Sequence, residues 1–245
     1  MIMESVIYVE ETASTNRYMQ ALADAGDLPD ESVVVAGAQT AGRGQAGNAW
    51  ESEAGKNLTC SFLFRPDGLP AGQSFVIAEL AALSVKRILD GIVPGITVKW
   101  PNDVYWLDRK ICGILIENGI LGGRIVRSII GIGLNLNQTV FLSDAPNPVS
   151  LAQITGIASD PPEILEQLRT VFHSLTRQLK SEGPENIHRD YVRALYRREG
   201  FYPYRDADGC FDARIHRIEP SGHLILERKD GALSRYAFKE VSRLP

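Results

Sequence analysis

The apolar positions change period several times along the chain, and each change predicts an element. A cluster of Ser14, Thr15 and Asn16 precedes Tyr18, Met19 and Leu22, and Gly26 closes the run. This predicts a helix over residues 12–26 whose first turn carries polar side chains. Residues 32–38 are β-branched and apolar and read as a buried strand that runs into a glycine-dense segment, 41–49. A second strand is predicted over 58–64. Phe75, Val76, Leu80, Leu83 and Ile88 spread so widely around the helix predicted over 73–89 that it must lie against a sheet. From Ile96 onward, strand-like runs at 97–100, 104–107, 111–117 and 124–135 are broken by Pro101, Asp108-Arg109 and Gly122-Gly123, the pattern of an antiparallel meander. Helical spacing returns from Ile164 to Leu179 after Pro161-Pro162, and Pro184 opens a helix predicted to reach Arg198. Beyond Gly200, short alternating runs separated by turn residues have the rhythm of a small β-barrel. The pattern predicts a mixed α+β core over residues 1–199 and an all-β satellite over 200–245.

Composition narrows the class. With 44% hydrophobic and 23% charged residues, the chain can bury enough apolar surface to fold. A net charge of -4 argues against a protein that neutralises phosphate backbones, so no DNA partner is expected. Cys60, Cys112 and Cys210 are an odd number without a C-x-x-C spacing, which fits a reducing compartment and no zinc site. The first residues lack the basic region of a secretory signal, and no apolar stretch approaches the roughly 20 residues of a bilayer span. A cytoplasmic protein without a membrane partner is expected. His173, His188, His216 and His223 have no ligand spacing, and no metal ligand is assigned.

Residues 42–47, Gly-Arg-Gly-Gln-Ala-Gly, match G-x-G-x-x-G, but no apolar helical face follows to hold a pyrophosphate at a helix N-terminus. The protein-kinase reading fails as well, for want of H-R-D and D-F-G triplets. Other motifs occur in a fixed order: Ser14-Thr15-Asn16, the loop from Gln39 through Gly44 with Trp50 after it, Asn57-Leu58, Lys99-Trp100-Pro101-Asn102-Asp103, Lys110-Ile111-Cys112-Gly113-Ile114-Leu115-Ile116-Glu117, and Gly131-Ile132-Gly133-Leu134-Asn135. Together they resemble a biotin protein ligase. The resemblance is strong over residues 14–137 and implies a class II synthetase-like α+β fold: a mixed, largely antiparallel sheet with flanking helices, plus a C-terminal SH3-like β-barrel. It further implies the short kind, without the N-terminal DNA-binding domain that some members carry.

The implied reaction joins biotin to ATP as biotinyl-5'-AMP, then passes biotin to a lysine of a biotin carboxyl carrier domain. Both steps need fixed cations and donors aimed at developing charge, with Mg2+ on the departing pyrophosphate. The resemblance makes Arg43, Lys110 and Asp103 the catalytic candidates. Asp103 is open to three roles: orienting Lys110, positioning the incoming amine, or supporting metal. Ser14, Thr15, Asn16, Gln39, Gly42, Arg43, Lys110 and Gly113 are the biotin-binding candidates, and Arg43, Gly44, Gln45, Trp50 and Asn135 the nucleotide-binding ones. Strand alternation places Lys110 on one face with Cys112 and Ile114. Ser14 or Thr15 would also cap the first helix. Gln45 and Asn48 stand where several members have arginines, which weakens the expected hold on the adenylate. Ligand binding is expected to order residues 42–50 and 138–149. A monomer or weak homodimer is expected. Two alternatives stand beside this reading: a lipoate or octanoate ligase or transferase of the same superfamily, and a non-catalytic biotin sensor that binds the carrier.

Overall fold

The computed structural model describes residues 6–26, 28–143 and 146–244. Two residues of the 138–149 segment, 144 and 145, therefore lie outside the described residues. Seven strands form one sheet in the order β1-β2-β3-β7-β6-β5-β4. They are β1 (Val6–Thr12), β2 (Val33–Gln39), β3 (Leu58–Phe64), β4 (Ile96–Lys99), β5 (Asp103–Trp106), β6 (Arg109–Leu121) and β7 (Arg124–Leu134). Only β1 and β2 run parallel, joined by the crossover helix α1 (Thr15–Ala25); the other neighbours are antiparallel.

Each face of the sheet has its own cover. Leu58, Cys60, Phe62 and Phe64 alternate onto one face and pack with Ile130, Ile132 and Leu134 beneath α2 (Phe75–Asp90) and α4 (Pro161–Glu182). Twelve of the sixteen residues of α2 are buried, which is why its apolar pattern looked too wide for a surface helix. The opposite face has a smaller core, in which Met19 of α1 meets Val34, Leu63 and Ile129. α1 covers only part of this face. The uncovered part is the cleft described below.

Two boundaries differ from the sequence reading, each through tertiary pairing. The first helix begins at Thr15 because residues 6–12 are an edge strand beside β2. α5 (Glu185–Arg193) stops short of Arg198 because residues 194–196 join the edge of β4: Val98 donates to the Ala194 carbonyl and Tyr196 to the Val98 carbonyl, each at 2.8 Å. After residue 200 come β8 (Tyr202–Asp206), β9 (Gly209–Ile218), β10 (Leu224–Arg228), β11 (Leu233–Tyr236) and β12 (Ser242–Arg243), an antiparallel sheet in the order β11-β10-β9-β8-β12. Its described pairings leave β11 and β12 as edges. Trp100 Nε1 donates to the Gly222 carbonyl at 2.9 Å and ties this sheet to the core. A short helix, α3 (Leu151–Thr155), carries a capping box between Ser150 and Gln153.

Candidate active site

The register of β3, β7 and β6 builds the floor of the cleft. Thr59, Gly133 and Gly113 lie side by side, and so do Ser61, Gly131 and Leu115. By alternation all six share the α1 face of the sheet. Glycines at three of these positions remove side chains from the middle of the floor, and neighbours use the room. A Cβ on Gly131 would overlap Asn16 Oδ1, one on Gly133 would overlap the Trp50 ring, and one on Gly113 would lie 2.7 Å from that ring. The cleft encloses about 50 Å3 and is lined by Ser14, Asn16, Gln39, Arg43, Trp50 and Lys110, among others. Ligand pockets are usually about 300 Å3 or more, and the Trp50 ring, seated over Gly133 and Gly113, takes up part of this floor.

At one end, the first turn of α1 meets β3. Ser14 is the N-cap of α1 by position, yet its side chain makes no capping hydrogen bond. Thr15 donates through its backbone N and its hydroxyl to Gln39 Oε1, at 2.8 and 3.1 Å. Ser61 Oγ lies 2.8 Å from Thr15 Oγ1 and 2.6 Å from Asn16 Oδ1. Asn16 Nδ2 donates to Glu117 Oε2 at 2.7 Å and to the Leu115 carbonyl at 3.3 Å. Ser14, Thr15, Asn16 and Ser61 are all buried. The polar turn is thus directed into the cleft, and the expected capping role is not taken by either side chain.

At the other end are the cations. Lys110 Nζ pairs with Asp103 Oδ1 at 2.7 Å and stands 5.6 Å from the Trp50 ring centroid. The face predicted for Lys110 is corrected by a bulge: Val104 pairs with Cys112 but Tyr105 with Lys110, so Ile111 is the extra residue and alternation slips there. Ile111 and Cys112 are both fully buried, whereas the Lys110 side chain reaches over Gly113. Arg43 Nη2 pairs with Glu117 Oε2 at 2.9 Å. The Gly44 N–H is already used inside the loop, donating to the Asn48 carbonyl at 2.6 Å, and Trp50 N donates to the Gly42 carbonyl at 2.9 Å. Three buried polar atoms here have no hydrogen-bond partner: Arg43 Nε, Trp50 Nε1 and Asn135 Oδ1. An unmet buried polar group costs about 1–3 kcal/mol, and two of the three, Arg43 Nε and Trp50 Nε1, belong to residues that line the cleft.

Two further features frame the cleft. Gln138 Oε1 accepts from Glu53 N at 2.9 Å and Asn57 Nδ2 at 2.7 Å, while Gln138 Nε2 donates to Glu51 Oε1 at 2.9 Å. Burial pushes the Glu51 carboxyl up, but hydrogen bonds from Ser143, the Leu142 backbone and Gln138 outweigh it and hold the carboxyl below its ordinary 4.5. The exit of the glycine loop is thereby tied to residues 138–143. Burial also raises the thiols of Cys60 and Cys112 well above their ordinary 9.0, so neither is a thiolate at neutral pH.

The structure brings Ser14, Thr15, Asn16, Gln39, Gly42, Arg43, Gly44, Gln45, Trp50, Asp103, Lys110 and Gly113 to one cleft or its rim, with Asn135 just past the end of β7. Sequence reasoning did not single out Ser61, Glu117 and the floor glycines Gly131 and Gly133 as site residues. Ser61 carried a weak signal, a hydroxyl two residues after Thr59 inside a largely apolar strand.

Fold and cleft together define an α+β protein with a polar pocket beside a cluster of cations. The chain belongs to the biotin/lipoate A/B protein ligase family, whose model matches residues 8–135. It is 35% identical over 226 residues to a biotin–[acetyl-CoA-carboxylase] ligase of Paracoccus denitrificans, covering 90% of this chain and 93% of that one. It is also 39% identical over 250 positions to the bifunctional ligase/repressor BirA of Salmonella typhimurium, covering 94% of this chain and 71% of the relative. Among solved structures, biotin protein ligase from Aquifex aeolicus in complex with biotin and ATP superposes with a TM-score of 0.78 at 23% identity, over 98% of this chain and 99% of that one. No helix among the described residues is long and apolar enough to cross a membrane.

Proposed function

We propose that the chain is an ATP-dependent ligase that activates biotin as biotinyl-5'-AMP and transfers it to a lysine of a biotin carboxyl carrier domain. In the first step a biotin carboxylate oxygen bonds to the α-phosphorus and the α–β phosphoanhydride bond breaks, releasing pyrophosphate. In the second, the lysine Nζ attacks the acyl carbon, AMP leaves, and the amine gives up a proton. Ser14, Thr15, Asn16 and Gln39 would read the ureido ring, where Gly113 leaves room for contact with the backbone. Lys110 and Arg43 would meet the carboxylate and α-phosphate, where two anions must be brought together. Asp103, already paired with Lys110, would orient that ammonium. Asn135 would pair with adenine through its unmet Oδ1, and Trp50 would close over the adenylate.

The observation that carries this reading is the placement of two cations and two buried polar atoms without a partner, Arg43 Nε and Trp50 Nε1, on a glycine floor beside the hydrogen bonds of Thr15, Asn16 and Ser61. Buried, un-ionised Cys60 and Cys112 favour an adenylate over a transferase that would pass the acyl group through a cysteine. Among the described residues, no group of three or more His, Cys, Asp or Glu is placed to hold a metal ion. Mg2+ would come with the nucleotide and would supply charge neutralisation on the departing pyrophosphate. The test is to incubate the protein with biotin, MgATP and a carrier domain. The expected result is one biotin mass added at one carrier lysine; gain with lipoate or octanoate but not biotin would move the reading to the alternative acyl ligase.

A further inference from the structure

We propose that Glu117 is a positioning residue that fixes Arg43 relative to the ring end of the cleft; its ligands, though not its geometry, rest on the biotin-ligase reading. A single atom, Glu117 Oε2, accepts from Asn16 Nδ2 at 2.7 Å and from Arg43 Nη2 at 2.9 Å. One carboxylate oxygen on β6 thus joins the first turn of α1 to the glycine loop. Asn16 cannot turn its amide over, because its Oδ1 takes the Ser61 hydroxyl while its Nδ2 also faces the Leu115 carbonyl. Glu117 is therefore held on one side by a rigid partner and holds a flexible one on the other.

The consequence lies in the orientation of the guanidinium. With Nη2 on Glu117, the planar fork of Arg43 is set, and its buried Nε is left without a partner. A carboxylate or phosphate arriving at that edge would meet a donor already aimed. The side chains of Arg43 and Glu117 are 32% and 39% exposed, so the pair adds little to stability as a surface ion pair. Charge and geometry predict opposite outcomes for removal. If Glu117 were only a negative charge near the cleft, deleting it would strengthen anion binding; if it positions Arg43, deleting it weakens anion binding.

The experiment compares Glu117→Ala and Glu117→Gln in otherwise wild-type and Arg43→Ala chains, using calorimetry with biotin and with biotinyl-5'-AMP. Glu117→Ala should weaken the adenylate about tenfold, the scale of one charge-assisted hydrogen bond. Glu117→Gln, which keeps an acceptor oxygen, should recover most of that loss. In the Arg43→Ala background, the adenylate loss caused by Glu117→Ala should shrink to the smaller loss that biotin alone shows through Asn16. Tighter adenylate binding in Glu117→Ala, or the same loss with Arg43 absent, overturns the proposal. If Glu117→Ala does not fold, Glu117→Gln carries the comparison. Hydrogen exchange of residues 42–50 without added ligand should quicken in Glu117→Ala, and unchanged exchange also counts against it. A wild-type chain that binds neither biotin nor the adenylate overturns the function reading instead, and the exchange measurement then still decides whether Glu117 holds the loop.

Discussion

The two ends of the cleft share one floor but differ in how their polar atoms are satisfied. Thr15, Asn16, Ser61 and the half-buried Gln39 hydrogen-bond to one another, and Asn16 reaches beyond them to Glu117 and the Leu115 carbonyl. At the other end Arg43 and Lys110 lean on carboxylates, and Arg43 Nε, Trp50 Nε1 and Asn135 Oδ1 have no partner. The physical demands differ accordingly. A neutral ring is recognised by shape and by a few fixed dipoles, which pack into a core without penalty once paired. A charge that develops during reaction needs donors kept available, and availability in a buried place is a destabilising arrangement that the surrounding fold must offset. On the proposed function, the α1 end is a preformed mould for the ring and the other end a set of groups held ready for the anions.

Two substitutions should pull the ends apart. Lys110→Ala removes the ammonium at the anion end, and adenylate formation should slow by about 100-fold or more, the usual scale for one preorganised electrostatic group. Biotin binding without nucleotide should change far less. A near-wild-type single-turnover rate of pyrophosphate release in this variant would end the assignment. Gly131→Ala attacks the mould instead, since the new Cβ overlaps Asn16 Oδ1 and the helix turn must yield. Overpacking of this kind costs about 1–3 kcal/mol, so biotin affinity measured by calorimetry should fall by roughly 10–100-fold. Unchanged affinity would mean that Asn16 does not set the ring end.

Much of this division was legible in the sequence, and the parts that were not share a cause. β3 was predicted with its observed limits because seven successive apolar and small polar residues sit between turn signals. The glycine loop, Lys110 and Asp103 were legible as motifs. Ser61 and Glu117 were missed because each acts on residues far away in the chain, through a cross-strand register that no local pattern encodes. The bulge at Ile111 was missed for the same reason and put Lys110 on the wrong face. The edge strand β1 alternates weakly against solvent, and two-residue β12 has no pattern to read.

The loop over the anion end offers a third way to sharpen the contrast. Gln45 lines the cleft but brings no charge, where arginine is expected from the family resemblance. Charge-assisted hydrogen bonds are about twice as strong as neutral ones, a gain on the order of 1 kcal/mol. Gln45→Arg should therefore slow the escape of biotinyl-5'-AMP about fivefold in a chase experiment and leave the affinity for biotin alone unchanged. An unchanged off-rate would place the latch elsewhere, with the Glu51 and Gln138 tie to residues 138–143 as the next element to cut.

The smallest effect expected concerns stability rather than rate, and it asks whether the anion end really is held at a penalty. Lys99 lies opposite Asp103 in the β4–β5 ladder, and its ammonium donates to the Tyr105 hydroxyl at 2.9 Å and rests 4.7 Å from that ring centroid. Burial pushes its pKa below the ordinary 10.5, opposed by the Asp103 carboxylate and assisted by the positive charges of Lys110 and Arg197. A lysine whose folded pKa is depressed destabilises the fold wherever it is protonated. That penalty is fully present below the depressed value and disappears as pH rises through it to 10.5. Lys99→Met should thus raise the melting temperature at pH 7 by at most the roughly 2–4 °C that 1 kcal/mol is worth in a chain of this size. The gain over wild type should hold constant up to the depressed value and shrink only between that value and 10.5. A pH-independent gain would assign it to packing alone, and a loss would show that the ammonium is a net support of the Asp103 corner rather than a group held there at a penalty.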